Sequence, residues 1–345
     1  MNFFSFFRQE LAIDLGTANT LIIQNGEVVV DQPSIVAINR KTGLTIAVGT
    51  KAMNMHEKTH DDIKTIRPLK DGVIADFQAA ESMIEGMINM IGQRKRFFSH
   101  LKMVICIPSG ITEVEKRAVF DSADHVDSKE TYLIHEPMAA ALGIGLDVEE
   151  PSGNMIIDIG GGTTEVAVLS LQGTVISESV RIAGDELTEA IIQYMKKIHN
   201  LVIGERTAED IKIKIGSAYP TADDNDSSME VRGLHLLSGL PRTVTIKGPE
   251  IRESMLEPLG VIIEAVRRTL ERTPPELAAD IIDRGIMLAG GGALLKGIDT
   301  LISHETGIVT HIAADPLSCV VLGTGRVLEN FKQLERVFSG RSRNM

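Results

Sequence analysis

The chain has 345 residues, 43% hydrophobic and 24% charged, which is enough to bury the cores of about two domains. Lys plus Arg number 35 against 47 Asp plus Glu. The resulting formal charge of −12 leaves no general cation excess to displace phosphate counterions, which excludes nonspecific nucleic-acid binding.

The amino terminus lacks the basic leader of a secretory signal, and its apolar part is interrupted by Ser5, Arg8 and Glu10. No apolar run approaches the ~20 residues of a spanning helix, so a soluble, cytoplasmic protein is expected. Placed on a helix, residues 2–9 put Phe3, Phe4, Phe6 and Phe7 on one face and Asn2, Ser5 and Gln9 opposite. So short a helix does not hold in water but suits a lipid interface; packing on the protein's own core or a filament contact are the alternatives. Strands are predicted at residues 11–14 and 21–23, followed by a small insertion at 33–66. Ile84, Met87, Ile88 and Ile91 share a helical face. The basic-then-aromatic run Arg94, Lys95, Arg96, Phe97, Phe98 is either a second membrane loop beside anionic headgroups or a solvated helix end.

Further strands are predicted at 103–107, 132–134, 155–159, 165–169 and 285–288. A capping box at Thr112 and Glu115 opens a helix through Ala123, and Leu187, Ile191, Met195 and Ile198 share another helical face. Residues 182–245 form a second insertion, whose 222–228 stretch (ADDNDSS) reads as a solvated loop. Alternating strand and helix patterns indicate an α/β protein. Cys106 and Cys319 lie in apolar stretches and read as buried free thiols of a reducing compartment. Of the other phenylalanines, Phe77, Phe120, Phe331 and Phe338 are assigned to ordinary packing.

The strongest signal is a repeat. AIDLGTANTLI, from Ala12, recurs as IIDIGGGTTEV, from Ile156, with Asp14 and Asp158 144 positions apart. Two similar lobes are therefore expected, each giving one strand–turn–strand to a shared cleft. Glycine lets phosphate approach backbone N–H groups closely, and Thr17, Asn19, Thr20, Thr163 and Thr164 add donors. Asp14 and Asp158 would repel phosphate, but make sense as ligands, through water, of Mg2+. Gly290, Gly291, Gly292 and Ala293 follow a strand and suit a base or ribose, or serve as a packing turn. Residues 207–212 look like a helix start capped by Thr207, with Glu209 and Lys212 facing either a ribose and base or solvent. Glu136, beside Pro137 at a helix start, is either a water-orienting carboxylate for in-line attack or an exposed cap. His135 is given no role.

These features resemble the actin, heat-shock chaperone and sugar-kinase ATPase superfamily, and within it the MreB-type bacterial actins. The likeness runs through IRPLKDGVIADF at 66–77, IPSGITEVEKRA at 107–118, HEPMAAALG at 135–143, DIGGGTTEVAVLS at 158–170, RTAEDIKIKIGSAYP at 206–220, LAGGGALLKGID at 288–299 and ADPLSCVVLGTG at 314–325. It departs from the family's usual pattern at His135, where a second acidic residue is usual, and across 125–130. The resemblance implies an actin-like ATPase fold of two lobes and four subdomains. Its divisions are a membrane segment at 1–10, a first lobe at 11–143, a second at 144–315, and a C-terminal helix at 316–345 returning to the first. It also implies Mg2+ and ATP: Thr17, Ala18, Asn19, Gly160, Gly161 and Gly162 would hold phosphates, Gly16 and Thr163 would belong to the same nucleotide site, and Asp14 and Asp158 would reach the Mg2+ through water. Ribose and adenine would lie on Ala208, Glu209, Asp210, Ile211, Lys212, Gly290, Gly291, Gly292 and Ala293. Glu136 with Thr163 would position the attacking water. Slow hydrolysis coupled to polymerisation is implied, as are paired antiparallel filaments on the inner face of the cytoplasmic membrane and partners in cell-wall elongation. A small-molecule kinase and a non-polymerising ATPase of the superfamily are the alternatives.

Overall fold

The computed structural model describes residues 8–91, 100–220 and 227–343. Two large sheets carry the fold. The first orders its strands Phe338–Arg343, Ser128–His135, His100–Ile107, Arg8–Leu15, Asn19–Gln24, Glu27–Pro33. The second runs Gly173–Val180, Thr164–Ser170, Asn154–Ile159, Ile286–Ala289, Thr310–Ile312. Each begins with a three-stranded antiparallel meander whose first strand is flanked on its other side by two successive parallel strands. The sequence repeat is thus a repeat of topology. Every residue of Asn154–Ile159 and Thr164–Ser170 is buried, as expected for strands covered on both faces.

Two helices, Glu136–Ile144 and Cys319–Glu329, join the sheets. Val104 and Ile134 of the first sheet, Met138 and Leu142 of one helix, Val320 and Val327 of the other, and Ile156 and Leu169 of the second sheet share one buried cluster. The helices touch backbone to backbone: a Cβ on Gly143 would fall 1.8 Å from the Cys319 carbonyl oxygen, and one on Gly323 1.7 Å from that of Ala139. Only glycine permits that approach. The helix carrying Glu136 is therefore fixed at the junction of the two halves.

The first insertion holds a three-stranded sheet, Val36–Asn39, Thr45–Val48 and Ile63–Ile66, with helix Thr50–Met55. The second holds helices Gly184–Ile198 and Glu205–Ile215 against strands Leu201–Val202, Ser228–His235 and Pro241–Lys247.

Several expectations change. The strand expected at 132–134 spans Ser128–His135, because its polar first half pairs with neighbours on both sides. The C-terminal stretch is a helix at Cys319–Glu329 followed by an edge strand, Phe338–Arg343, on the first sheet. Ile198, the last residue of its helix, is 53% exposed rather than core. Phe77 is also exposed, whereas Phe331 and Phe338 pack on Tyr132. Both cysteines are buried and free. Ser228 begins a strand, while 222–226 of the expected loop lie outside the described residues. Phe3, Phe4, Phe6, Phe7, Phe97 and Phe98 lie outside them as well. Among the described residues no helix is long and apolar enough to cross a membrane.

Candidate functional site

The two glycine turns meet. A Cβ on Gly161 would lie 2.8 Å from Ala18 Cβ, and one on Gly162 would lie 2.8 Å from Thr17 Oγ1 and 2.9 Å from the Asp71 nitrogen. The missing side chains are what let the turns of the two halves pack face to face. Gly72 closes the same junction: its amide donates to Thr17 Oγ1 at 3.1 Å, and its φ is +77°. The carbonyls of Gly160 and Gly161 accept from the amides of Gly184 and Asp185, at 3.2 and 2.8 Å, where the helix Gly184–Ile198 begins.

Not every hydroxyl assigned to phosphate faces the cleft. Thr20 is buried and its hydroxyl pairs with Ser34 Oγ at 2.8 Å, while Ser34 donates to the Gly16 carbonyl at 2.6 Å. Thr164, also buried, donates to the Ile182 carbonyl at 2.7 Å. Both stand on strands, where pleating turns them into the protein, so they hold the turns rather than a ligand. Thr17 and Thr163 are nearly buried at the junction, and Asn19 is exposed.

Four carboxylates surround this junction. Burial pushes Asp14 up to about 6, offset in part by Cys106, whose thiol donates to Asp14 Oδ1 at 3.1 Å. Asp158 is pushed up to about 7 by burial and by the charges of Asp14 and Glu165. Glu136 is raised well above the carboxylate range by burial, then by Glu165, Asp158 and Asp14. Glu165 is raised by burial and held back by its hydrogen bonds from Ser179 and Ser109. Mutually repelling carboxylates without a cation suit a divalent ion. Among the described residues no group of three coordinating side chains is placed to grip a metal directly. That donor set fits Mg2+, which keeps its waters and uses one or two carboxylates.

Glu136 is the first residue of its helix, with Pro137 second. It is half-buried against the other carboxylates, so it is not the exposed cap that was one of its two readings. His135 lies 3.4 Å from the Pro108 carbonyl oxygen through Nδ1, and burial lowers its pKa.

The third glycine cluster abuts the second turn. A Cβ on Gly290 would sit 2.4 Å from Asp158 Oδ1, and one on Gly292 would sit 2.2 Å from Ile159 Cγ2. Packing alone therefore requires these two glycines. Ala293 is buried behind them. Ala208 and Ile211 are core residues of the helix Glu205–Ile215, and Asp210 is exposed. Lys212 uses its ammonium on the Gly184 carbonyl, Thr188 Oγ1 and Glu209 Oε2 at 2.8, 2.9 and 2.8 Å, so it binds two helices together.

Thr207 does not cap that helix. The cap is Gly204, and the amide of Glu205 donates to Glu57 Oε1, 3.1 Å away on the opposite insertion. Arg67 Nη2 lies 2.5 Å from Glu205 Oε1, and His56 Nε2 lies 3.4 Å from Glu205 Oε2. These contacts join the two insertions, and no local signal in the sequence announces them. Glu165 was equally overlooked, although the repeat itself marks it: its counterpart in the first copy is Leu21.

A profile of the MreB/Mbl protein family matches residues 8–336. The chain is 48% identical over 331 residues to the cell shape-determining protein Mbl of Bacillus cereus, covering 96% of this chain and 98% of the relative. It is 49% identical over 328 residues to the cell shape-determining protein MreB of Escherichia coli, covering 94% of each. Among solved structures, ADP-bound MreB5 of Spiroplasma citri superposes with a TM-score of 0.89 at 39% identity, covering 94% of this chain and 98% of that one. The AMPPNP-bound form gives 0.88 at the same identity, covering 94% and 97%. The MamK double helical filament shares the fold, with a TM-score of 0.77 at 19% identity over 93% of this chain and 99% of that one.

Proposed function

The chain belongs to the MreB/Mbl family of actin-like, cell shape-determining proteins, and on that premise we propose that it is a filament-forming ATPase that organises cell-wall elongation. The observation that carries the reading is the contact of two glycine turns, one from each half, at a junction ringed by Asp14, Glu136, Asp158 and Glu165. The amides around Thr17, Ala18 and Asn19 and around Gly160, Gly161 and Gly162 hold the phosphates, with Gly16, Asp14 and Asp158 beneath them. Ribose and adenine lie between Glu209, Asp210 and Lys212 on one side and Gly290, Gly291 and Gly292 on the other, with Ala208, Ile211 and Ala293 buried behind them. Asp14 and Asp158 would hold Mg2+ through water, and the ion would neutralise phosphate charge when bound. Glu136 and Thr163 orient the water for attack on the terminal phosphate.

Pairing of filaments is supported by a surface groove of about 440 Å³ lined by Phe77, Glu113, Val114, Arg117, Ala118 and Asp121. Val114 is 81% exposed at its centre, with acidic and basic groups on one helix beside it. A patch that mixes acidic, basic and apolar groups on one helix can meet a two-fold copy of itself, as an antiparallel pair requires. Attachment to the inner face of the cytoplasmic membrane through Phe3, Phe4, Phe6, Phe7, Phe97 and Phe98 is supported by strand register. Arg8 and His100 are direct partners on parallel strands, so the chain enters the sheet side by side just after each phenylalanine cluster.

Electron microscopy of the purified protein with ATP, with and without anionic vesicles, tests this. Paired filaments that need ATP and decorate the vesicles are expected. Absence of nucleotide-dependent assembly at any ionic strength, also by sedimentation, would refute the polymer.

A further inference from the structure

Glu165 is where the internal repeat breaks its own pattern. In the first sheet Asp14 pairs across the strands with Leu21; in the second, Asp158 pairs with Glu165. An apolar residue is what a strand buried on both faces calls for, yet Glu165 is 0% exposed. A carboxylate there is tolerated only when its oxygens are satisfied, and both are. Oε1 accepts from the Ser179 hydroxyl at 2.5 Å, and Oε2 accepts from the Ser109 backbone N–H at 3.0 Å.

Those two partners come from different halves of the molecule. Ser179 is the register partner of Glu165 on the neighbouring strand of the second sheet. Ser109 belongs to the loop that leaves His100–Ile107 of the first sheet. That loop is seated tightly: a Cβ on Gly110 would lie 2.9 Å from Ser179 Cβ, so glycine is needed for the approach. The loop is also the neighbour of Glu136. Ile107 pairs with His135, the residue before Glu136, and His135 Nδ1 approaches the Pro108 carbonyl oxygen. Pro108 and Thr163 both flank Gly72, whose Cβ would lie 2.9 and 2.7 Å from them.

We propose that Glu165 is a positioning residue for hydrolysis. Its carboxylate pins the loop at 108–110 to the second sheet, and through that loop sets Glu136 of one half against Thr163 of the other. The proposal rests on the ATPase reading above. Because the bond crosses between the halves, its loss should disturb the alignment of the reacting groups more than the binding of nucleotide, which the turns provide.

The test is single-turnover phosphate release at saturating ATP, alongside ATP affinity, for the wild type, Glu165→Leu, Glu165→Gln and Ser179→Ala. Glu165→Leu installs the first copy's residue and removes both bonds. Release should fall by about tenfold to a hundredfold with affinity changed less than about threefold. Glu165→Gln keeps the bridge, since its amide oxygen accepts from Ser109 and its NH2 donates to a rotated Ser179 hydroxyl; release should stay within about threefold of wild type. Ser179→Ala, at a half-buried strand position, should fold normally and lose release several-fold, which keeps the test decisive if the leucine variant does not fold. Wild-type release from Glu165→Leu or from folded Ser179→Ala overturns the proposal. So does a glutamine variant as impaired as the leucine one, which would make charge rather than geometry the cause. A wild type that releases no phosphate overturns the ATPase reading, and this inference with it.

Discussion

Replacing Arg67 with alanine should speed the release of bound nucleotide by about tenfold to thirtyfold. Arg67 Nη2 lies 2.5 Å from Glu205 Oε1, and this bond spans the two insertions that flank the cleft. The side chains are 23% and 36% exposed, so the pair is neither a solvated surface contact nor a dry one. Exposed pairs contribute at most about 1 kcal/mol, and hydrogen bonds to charged groups about 1.5–3 kcal/mol. Partial burial places this one near 1.5–2 kcal/mol, which at about 1.4 kcal/mol per factor of ten shifts the closed-to-open ratio by the stated amount. Glu57, which accepts from the Glu205 amide across the gap, remains in the variant and keeps the shift from being larger. The assay is stopped-flow release of a fluorescent ADP analogue. Lys41→Ala is the control: Lys41 and Asp62 lie 2.6 Å apart within one insertion, at 74% and 44% exposure, and join nothing across the cleft. A release rate for Arg67→Ala within twofold of wild type would refute the reasoning, as would an equal rise in the control.

Gly323→Ala would drive a methyl group to within 1.7 Å of the Ala139 carbonyl oxygen, so the two central helices must separate. A loss of about 1–3 kcal/mol is expected by denaturant titration, and an unchanged midpoint would show that the helices can part freely. Burial pushes the Asp185 carboxyl up to about 6 from its ordinary 3.8, against an opposing pull from Arg67. The folded chain therefore binds that proton more tightly than the unfolded chain, so the penalty is full above about pH 6 and fades as pH falls toward 4. Asp185→Asn should accordingly raise the melting temperature at pH 8 and give no gain near pH 4; an equal gain at both would contradict the assignment. Deleting residues 2–8 should reduce co-flotation with anionic vesicles severalfold, and undiminished binding would move the anchor to Phe97 and Phe98.

What the sequence revealed and what it hid divide by range. The turns at Asp14 and Asp158, the capping box at Thr112 and the helix start at Glu136 are local patterns, and the structure holds each where its pattern put it. Thr20 and Thr164 sit in the same motifs yet face inward, because the pleat of the strand, and not the residue type, decides direction. Gly143 and Gly323 are 180 residues apart, and each is required by the other's helix. Gly204 caps Glu205–Ile215 without a side chain, and the Glu205 amide finds its acceptor in Glu57, 148 positions away, which is why Thr207 looked like the better candidate. The edge strand Phe338–Arg343 has too little apolar alternation to announce itself and is fixed by its neighbour. Glu165 was legible in principle, as the one acidic substitution within the repeat, but its importance depends on Ser109 and on both lobes being in place.

In the proposed function Glu136 works on a nucleotide held by the two turns. That role is tested most directly by measuring ATP affinity and phosphate release for wild type and Glu136→Ala together. Affinity should change only a few-fold, while release falls by about a hundredfold or more. Phosphate release at the wild-type rate from a nucleotide-bound Glu136→Ala protein would contradict the account.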